Sequence, residues 1–236
     1  MRNKNLMGTF KYILLTSLKM TFVKEKDFVE ISFVARIKES KQIFDLTDEE
    51  QAKKEGLYEK GHAHFGPKII CIGQGQVILG LDKTLVGKTV GESFSVDIKP
   101  EEAFGKKDLK LVKVIPTSVL LKQDIRPYPG LQIEAPGMTG TIRTVSSGRT
   151  TVDFNHPLAG KEVLYEVKIL RIVHDDKEKI EGLLLSLLHL HKEECAVTIE
   201  DKNATLTFKN KIQEEAKEFL KSKMKELLPS LQLSFA

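Results

Sequence analysis

The chain has 236 residues, 41% of them apolar and 30% charged, with a net charge of +4 and two cysteines. This is the composition of a soluble globular protein with room for one large domain or two to three small ones. No apolar run reaches the roughly 18–20 residues that span a bilayer. No basic stripe survives either, because residues 1–19 hold four cations without an acid while residues 175–236 hold ten lysines against twelve acids. Membrane and nucleic-acid partners are therefore not expected.

Residues 1–19 (MRNKNLMGTFKYILLTSLK) admit three readings. A signal peptide would explain the positive start, but the apolar patch at 12–15 is short, Lys19 interrupts it and no small-x-small cleavage site follows. A disordered leader is the second reading. The third, taken as the expectation, is a gene-model extension ahead of a natural start at Met20.

Residues 28–37 (FVEISFVARI) alternate as a strand, with Val29, Ile31, Phe33 and Ala35 on one side. A second strand should contain residues 43–45, and TDEEQAKKEG at 47–56 has the early acids, late lysines and final glycine of a surface helix. A loop at 61–67 and a short strand at 68–72 lead into GQGQVILGLDKTLVGKTVGESFSVDIKPEEAFG, residues 73–105. There a turn and short helix over 76–86 would present Val77, Ile78 and Leu81, with Gly80 allowing close approach and Gly87 stopping the helix. Residues 92–98 alternate as a strand that Pro100 ends, and 101–105 deliver Phe104 beside a glycine turn.

Beyond Gly105 the pattern changes. Residues 109–115, then a polar segment ending at 128–130, then β-like runs at 131–134, 140–145 and 149–152 describe a small β-rich module. Residues 163–173 (VLYEVKILRIV) form a strong alternating strand. A helix over 176–190 carries leucines around most of its circumference, which marks it as buried on several sides. Alternating runs at 195–200 and 204–208 suggest a hairpin. Asn210, with Gln213 at the third position, should cap a last helix whose apolar face runs from Ile212 to Leu228, and Pro229 should end it. A unit of about 60 residues has little core of its own. It is expected to dimerise, the rival being that its leucines pack on the rest of the chain.

The order G-Q-V-I-x-G-L-D-x-x-L-x-G-x-x-V-G-E, then P-E-x-A-F-G, resembles the signature of the FKBP-type peptidyl-prolyl isomerases. DFNHPLAG at 153–160, followed by the strand at 163–169, resembles the closing segment of the SlyD-like, insert-bearing branch, and the arrangement is most similar to the long archaeal members. The resemblance covers roughly residues 21–173. It implies an α+β fold: an antiparallel FKBP-like sheet wrapped on a short helix (20–105 and 153–174), a β-rich insert-in-flap domain (106–152) that holds unfolded chains, and a small C-terminal α-β-β-α domain (175–236). Carried over by motif position, the pocket would be lined by Phe33, Phe44, Val77, Ile78, Leu81, Phe104, Leu158 and Tyr165, with Asp45 as the one carboxylate at its edge. Many family members have tryptophan where Leu81 stands and tyrosine where Phe104 stands.

That residue set suits the chemistry. Rotation about an X–Pro bond meets a barrier of about 18–20 kcal/mol because resonance stiffens the bond. The twisted state has lost that resonance and separates less charge, so a dry aromatic cup favours it over the planar amide without nucleophile, metal or cofactor. His62, His64 and Cys71 invite a metal reading, but a structural zinc site needs four ligands and no further Cys or His cluster stands nearby in sequence. Cys71 and Cys195 fall in different predicted units, so no disulfide is expected and a reducing cytoplasm is the default compartment. The expected function is a cytoplasmic peptidyl-prolyl cis–trans isomerase and folding chaperone, acting on unfolded or proline-containing polypeptides, with a homodimer formed through the tail. Its rivals are a non-catalytic holdase on the same fold and a ribosome- or transcription-associated adaptor, the latter lacking the basic face it would need.

Overall fold

The structure is a computed structural model, and it describes residues 21–58 and 65–236. The leader at 1–19, most of the loop expected at 61–67 and the pair His62 and His64 lie outside the described residues.

Five strands make the first sheet: β1 (Phe28–Ile37), β2 (Ile43–Leu46), β3 (Lys68–Cys71), β4 (Ser93–Ile98) and β9 (Val163–Ile172). The two ten-residue strands, β1 and β9, run antiparallel from Val29 opposite Ile172 to Ile37 opposite Val163. The far side of β1 is shared, with β3 along Phe28–Ile31 and β2 along Val34–Arg36. β4 lies outside β9, so the order is β2-β1-β9-β4. Alternation decides the faces, since successive strand residues point opposite ways. Val29, Ile31, Phe33 and Ala35 of β1 meet Val163, Tyr165, Val167 and Ile169 of β9 in one core.

The helix α2 (Leu79–Leu85) closes that core with Leu81 and Leu85, both fully buried. Gly87 follows at φ +81°, the left-handed conformation that suits glycine after a helix end. Gly80 is needed for packing: a Cβ there would fall 2.4 Å from Cγ2 of Ile98 on β4. Between β2 and β3 the helix α1 (Glu49–Lys54) starts as the acids predicted, with Asp48 accepting the Gln51 N–H at 2.8 Å.

Residues 112–153 form a second, separate sheet. Its strands β5 (Val112–Pro116), β6 (Gln132–Ala135), β7 (Met138–Ser146) and β8 (Arg149–Asp153) run in the order β5-β8-β7-β6, all antiparallel. Val112 pairs with Asp153, so the segment enters and leaves side by side. Its small core is Leu120, Ile133, Ile142 and Val152. Leu120 comes from a short helix, α3 (Thr117–Leu121), inside what reads as a polar segment. One buried leucine outweighs five residues of weak helix propensity there.

The tail consists of α4 (Asp176–Leu188), β10 (Cys195–Glu200), β11 (Asn203–Phe208), α5 (Glu214–Leu227) and β12 (Gln232–Phe235). β12 pairs parallel with β11 and adds a strand to the expected α-β-β-α order. Gln213, rather than Asn210, is the cap of α5, because its carbonyl accepts the Ala216 and Lys217 N–H groups at 3.1 and 3.2 Å. The leucines of α4 are taken up within the chain. Leu183 and Leu184 lie in one cluster with Phe28 of β1, Cys71 of β3, and Val197, Leu206, Leu220 and Met224 of the tail. A Cβ on Gly182 would fall 2.8 Å from Ile69, so α4 seats directly on β3. Arg171 fastens the same seam, donating to Glu30 at 2.7 Å and to both carboxylate oxygens of Glu178 at 2.7 and 3.1 Å. Cys71 and Cys195, assigned to separate units, share this cluster as free buried thiols, each pushed up to about 11 by burial.

Candidate active site

The cleft opens over one end of the first sheet. It has a volume of about 780 Å³, and its walls are Phe33, Phe44, Asp45, Lys68, residues 75–78, Phe104, residues 156–158 and Tyr165. Phe33 and Tyr165 come from neighbouring strands, β1 and β9, in diagonal register, with ring centroids 5.5 Å apart. Phe44 is the extra residue of a bulge, because Ala35 pairs with Asp45 while Arg36 pairs with Ile43. A bulge re-aims the side chain it inserts. Phe44 thereby meets Tyr165 edge-on at 6.0 Å and Phe104 edge-on at 5.6 Å. Such T-shaped contacts suit the ring quadrupoles and hold the cup in shape.

The turn at 73–76 is held from below. Asp82 of α2, itself buried, accepts the Gly73 N–H at 2.8 Å and the Gly75 N–H at 3.3 Å. Gln76 accepts the Cys71 N–H at 2.7 Å. These bonds bring Val77 and Ile78 to the rim. Opposite them, His156 stacks flat on Phe104 with centroids 4.7 Å apart and an interplanar angle of 2°. Its Nδ1 accepts the Leu158 N–H at 3.2 Å, which holds the ring in place over the loop. On the fourth side Lys68 reaches over the Phe33 ring at 5.0 Å and pairs with Asp45 at 3.3 Å.

Eight of the nine residues carried over by motif border this one cleft. Leu81 does not: it is 0% exposed and supports the cleft from the core beneath, with no surface of its own to offer a substrate. Lys68 was not among the nine, since a lysine opening a strand reads as solvated. Its signal is the place of β3 on the same edge of β1 as β2, which brings it beside Asp45. Burial, helped by the charge of Asp45, pushes the Tyr165 phenol well above its ordinary range, so it stays a neutral hydrogen-bond donor. Among the described residues no group of three or more His, Cys, Asp or Glu could hold a metal, and no helix is long and apolar enough to cross a membrane.

The family model for FKBP-type peptidyl-prolyl cis–trans isomerase matches residues 19–125. The chain is 31% identical over 150 residues to the short-type peptidyl-prolyl cis–trans isomerase of Methanocaldococcus jannaschii, covering 64% of this chain and 94% of that protein. It belongs to the FKBP-type peptidyl-prolyl cis–trans isomerases. Two bacterial relatives agree. The probable FKBP-type 16 kDa isomerase of Pseudomonas fluorescens is 31% identical over 45% of this chain and 73% of its own length. The SlyD isomerase of Pasteurella multocida is 32% identical over 51% and 60%. A second family model, described as FKBP26, IF domain, matches residues 113–158, which span most of the second sheet of this isomerase. Both family models stop short of the tail.

Proposed function

We propose that this FKBP-type isomerase rotates X–Pro bonds in the cup of Phe33, Phe44, Phe104 and Tyr165, with Val77, Ile78 and Leu158 completing the apolar rim. The observation that carries the reading is the meeting of those four rings, from three strands and a loop, around one cleft. A prolyl ring seated there leaves water behind, and the twisted amide, which separates less charge than the planar one, is favoured. Tyr165 stays protonated and can donate to a substrate carbonyl. Asp45 and Lys68 make the polar edge, each partly neutralising the other.

The second sheet is proposed to hold client chains, which gives the enzyme a chaperone activity beside its isomerase activity. Of the eleven large apolar residues exposed among the described ones, six lie in or beside it: Leu109, Val114, Val119, Leu121, Tyr128 and Met138. Surface of that kind marks a binding role. Its outer strands β5 and β6 each have one unpaired edge, which an extended chain can join. Unfolded and proline-containing polypeptides are the proposed partners. Homodimerisation through the tail belongs to the same proposal. With the leucines seated on β3, it would use the outer face of the tail sheet, where Ala196, Thr198, Thr205, Thr207 and Ser234 are uncharged and Glu200 lies at one end. Two unpaired buried thiols fit a reducing compartment, so the cytoplasm is the proposed location.

Two assays test the reading. A protease-coupled assay on a proline tetrapeptide should show isomerisation by the full chain; its absence would leave the non-catalytic holdase. Replacing residues 112–153 by a short glycine loop should keep tetrapeptide turnover within a few-fold. It should slow proline-limited refolding of a whole protein by about one to two orders of magnitude, as loss of a tether predicts. Equal losses on both substrates would place the second sheet inside the active site instead.

A further inference from the structure

Charge is unevenly placed along the chain. Residues 106–153, the second sheet with the segment that leads into it, hold eight lysines and arginines against four acids, a net charge of +4. The stretches that carry the first sheet and the cleft, 20–105 and 154–174, hold fifteen cations against seventeen acids. The tail holds ten against twelve. The second sheet is therefore basic, and the parts around it are weakly acidic.

Part of the positive charge is matched within the chain. Lys107 and Arg143 both reach Asp153, at 2.8 and 3.2 Å, and Lys106 meets Glu101 at 3.0 Å. Lys110, Lys113, Lys122, Arg126 and Arg149 are exposed and make no ion pair among the described residues. Three exposed acids stand against these five: Asp108, Asp124 and Glu134. Apolar surface lies among the same cations. Leu109 adjoins Lys110, Val114 adjoins Lys113, Leu121 adjoins Lys122, and Tyr128 stands two residues from Arg126, all four apolar side chains being exposed.

We propose that the second sheet selects acidic clients: unfolded segments in which Asp and Glu stand among apolar residues. The inference rests on the second sheet being the client holder. A bare aliphatic surface holds any unfolded chain alike. One set with unmatched cations discriminates, because an acidic chain is attracted where a basic chain is repelled. Nucleic acid fits the surface less well. Single strands stack on aromatic rings and line their phosphates with cations, whereas Tyr128 is the one aromatic residue of 106–153 and acids stand among its cations. None of the five unpaired cations borders the cleft, so the charge decides which chains are held and not how an X–Pro bond turns.

The test uses the full chain, its Lys113→Gln/Lys122→Gln/Arg126→Gln variant and the glycine-loop replacement of residues 112–153. The probes are three unstructured peptides of one apolar sequence, with Glu, Gln or Lys at the same interspersed positions. Kd is read by fluorescence anisotropy. At about 0.01 M salt the full chain should bind the Glu peptide about tenfold more tightly than the Lys peptide, with the Gln peptide between. At about 1 M salt, where charges are screened within ~3 Å, the three should agree within about two-fold. The triple variant should weaken the Glu peptide about three- to ten-fold at low salt and leave the Gln peptide and proline-tetrapeptide turnover within about two-fold. Because the wild-type salt series needs no substitution, a variant that fails to fold does not remove the test. Equal Kd for the three peptides at low salt would overturn the proposal. So would a Glu preference that the triple variant keeps, or single-stranded RNA bound more tightly than the Glu peptide. If no peptide binds, or the glycine-loop variant binds all three as the full chain does, the client-holder reading itself fails. If the Gln peptide binds through the second sheet while Glu and Lys peptides bind alike, the charge selection alone is overturned.

Discussion

Phe33 and Phe104 face the same cleft but carry different loads. Phe33 is 4% exposed and belongs to the sheet core, whereas Phe104 is half-buried at the rim. Phe33→Ala should therefore cost about 3–5 kcal/mol of stability. Phe104→Ala should lower tetrapeptide kcat/KM by about tenfold or more, as loss of a transition-state contact does, while the denaturation midpoint barely moves. Parallel urea melts and peptide assays on the two variants check this. Asp153 gives a pH signature. Burial alone would raise its carboxyl, but hydrogen bonds from Lys107 and Asn155 and the Lys107 charge outweigh it and hold the group well below the usual carboxylate range. A depressed folded-state value stabilises above the unfolded value of about 3.9 and is lost as pH falls further. The stability gap between the wild-type chain and Asp153→Asn should thus be constant from pH 7 to about 5 and shrink below about 4, measured by denaturant melts at each pH. At this scale the motif order made legible eight residues that border one cleft. Leu81 lies in the core beneath the cleft, because its face of the helix points into the sheet, and a residue's place on a helix says nothing of what covers it.

Strands with one buried face announce themselves: Val29, Ile31, Phe33 and Ala35 alternate because one side of β1 meets α2. Bulges do not: those at Phe44 in β2 and at Arg143 in β7 break the alternation that would reveal them. β12 was legible in principle, since Leu231, Leu233 and Phe235 alternate after Pro229, but its partner β11 lies 29 residues upstream. The cap of α5 was misplaced because Asn210 has the right chemistry in the wrong place, with the chain there still leaving the sheet. The seating of α4 on β3 yields a sharp expectation. In Gly182→Ala the new methyl meets the Ile69 Cβ and Cγ2 at 2.8 Å and its carbonyl oxygen at 3.1 Å, contacts a flexible side-chain tip cannot relieve. Overpacking of this kind costs about 1–3 kcal/mol. Thermal melts should fall accordingly, and amide exchange of β3 should accelerate. Unchanged exchange would mean that α4 does not brace the sheet.

Across the whole molecule the tail acts as a brace for the sheet that carries the cleft. Deleting residues 175–236 uncovers Phe28, Ile69 and Cys71, so the shortened chain is expected to lose stability and aggregate. Light scattering of the full chain tests the proposed dimer separately: a doubled mass, reverting to a monomer when Thr205 and Thr207 are replaced by lysine, is the expected result. A single-chain mass at micromolar concentration would remove the dimer. The strand order has one more consequence, which concerns synthesis. β1 and β4 do not pair with each other; each pairs with β9, which ends at Ile172. The second sheet, by contrast, is contiguous from Val112 to Asp153. On a ribosome adding residues from the N-terminus, the second sheet can be complete while β1 and β4 still wait for their common partner. No nascent chain ending before Val163 can join β1 to β4, so each newly made molecule carries a finished second sheet before it has a finished catalytic sheet.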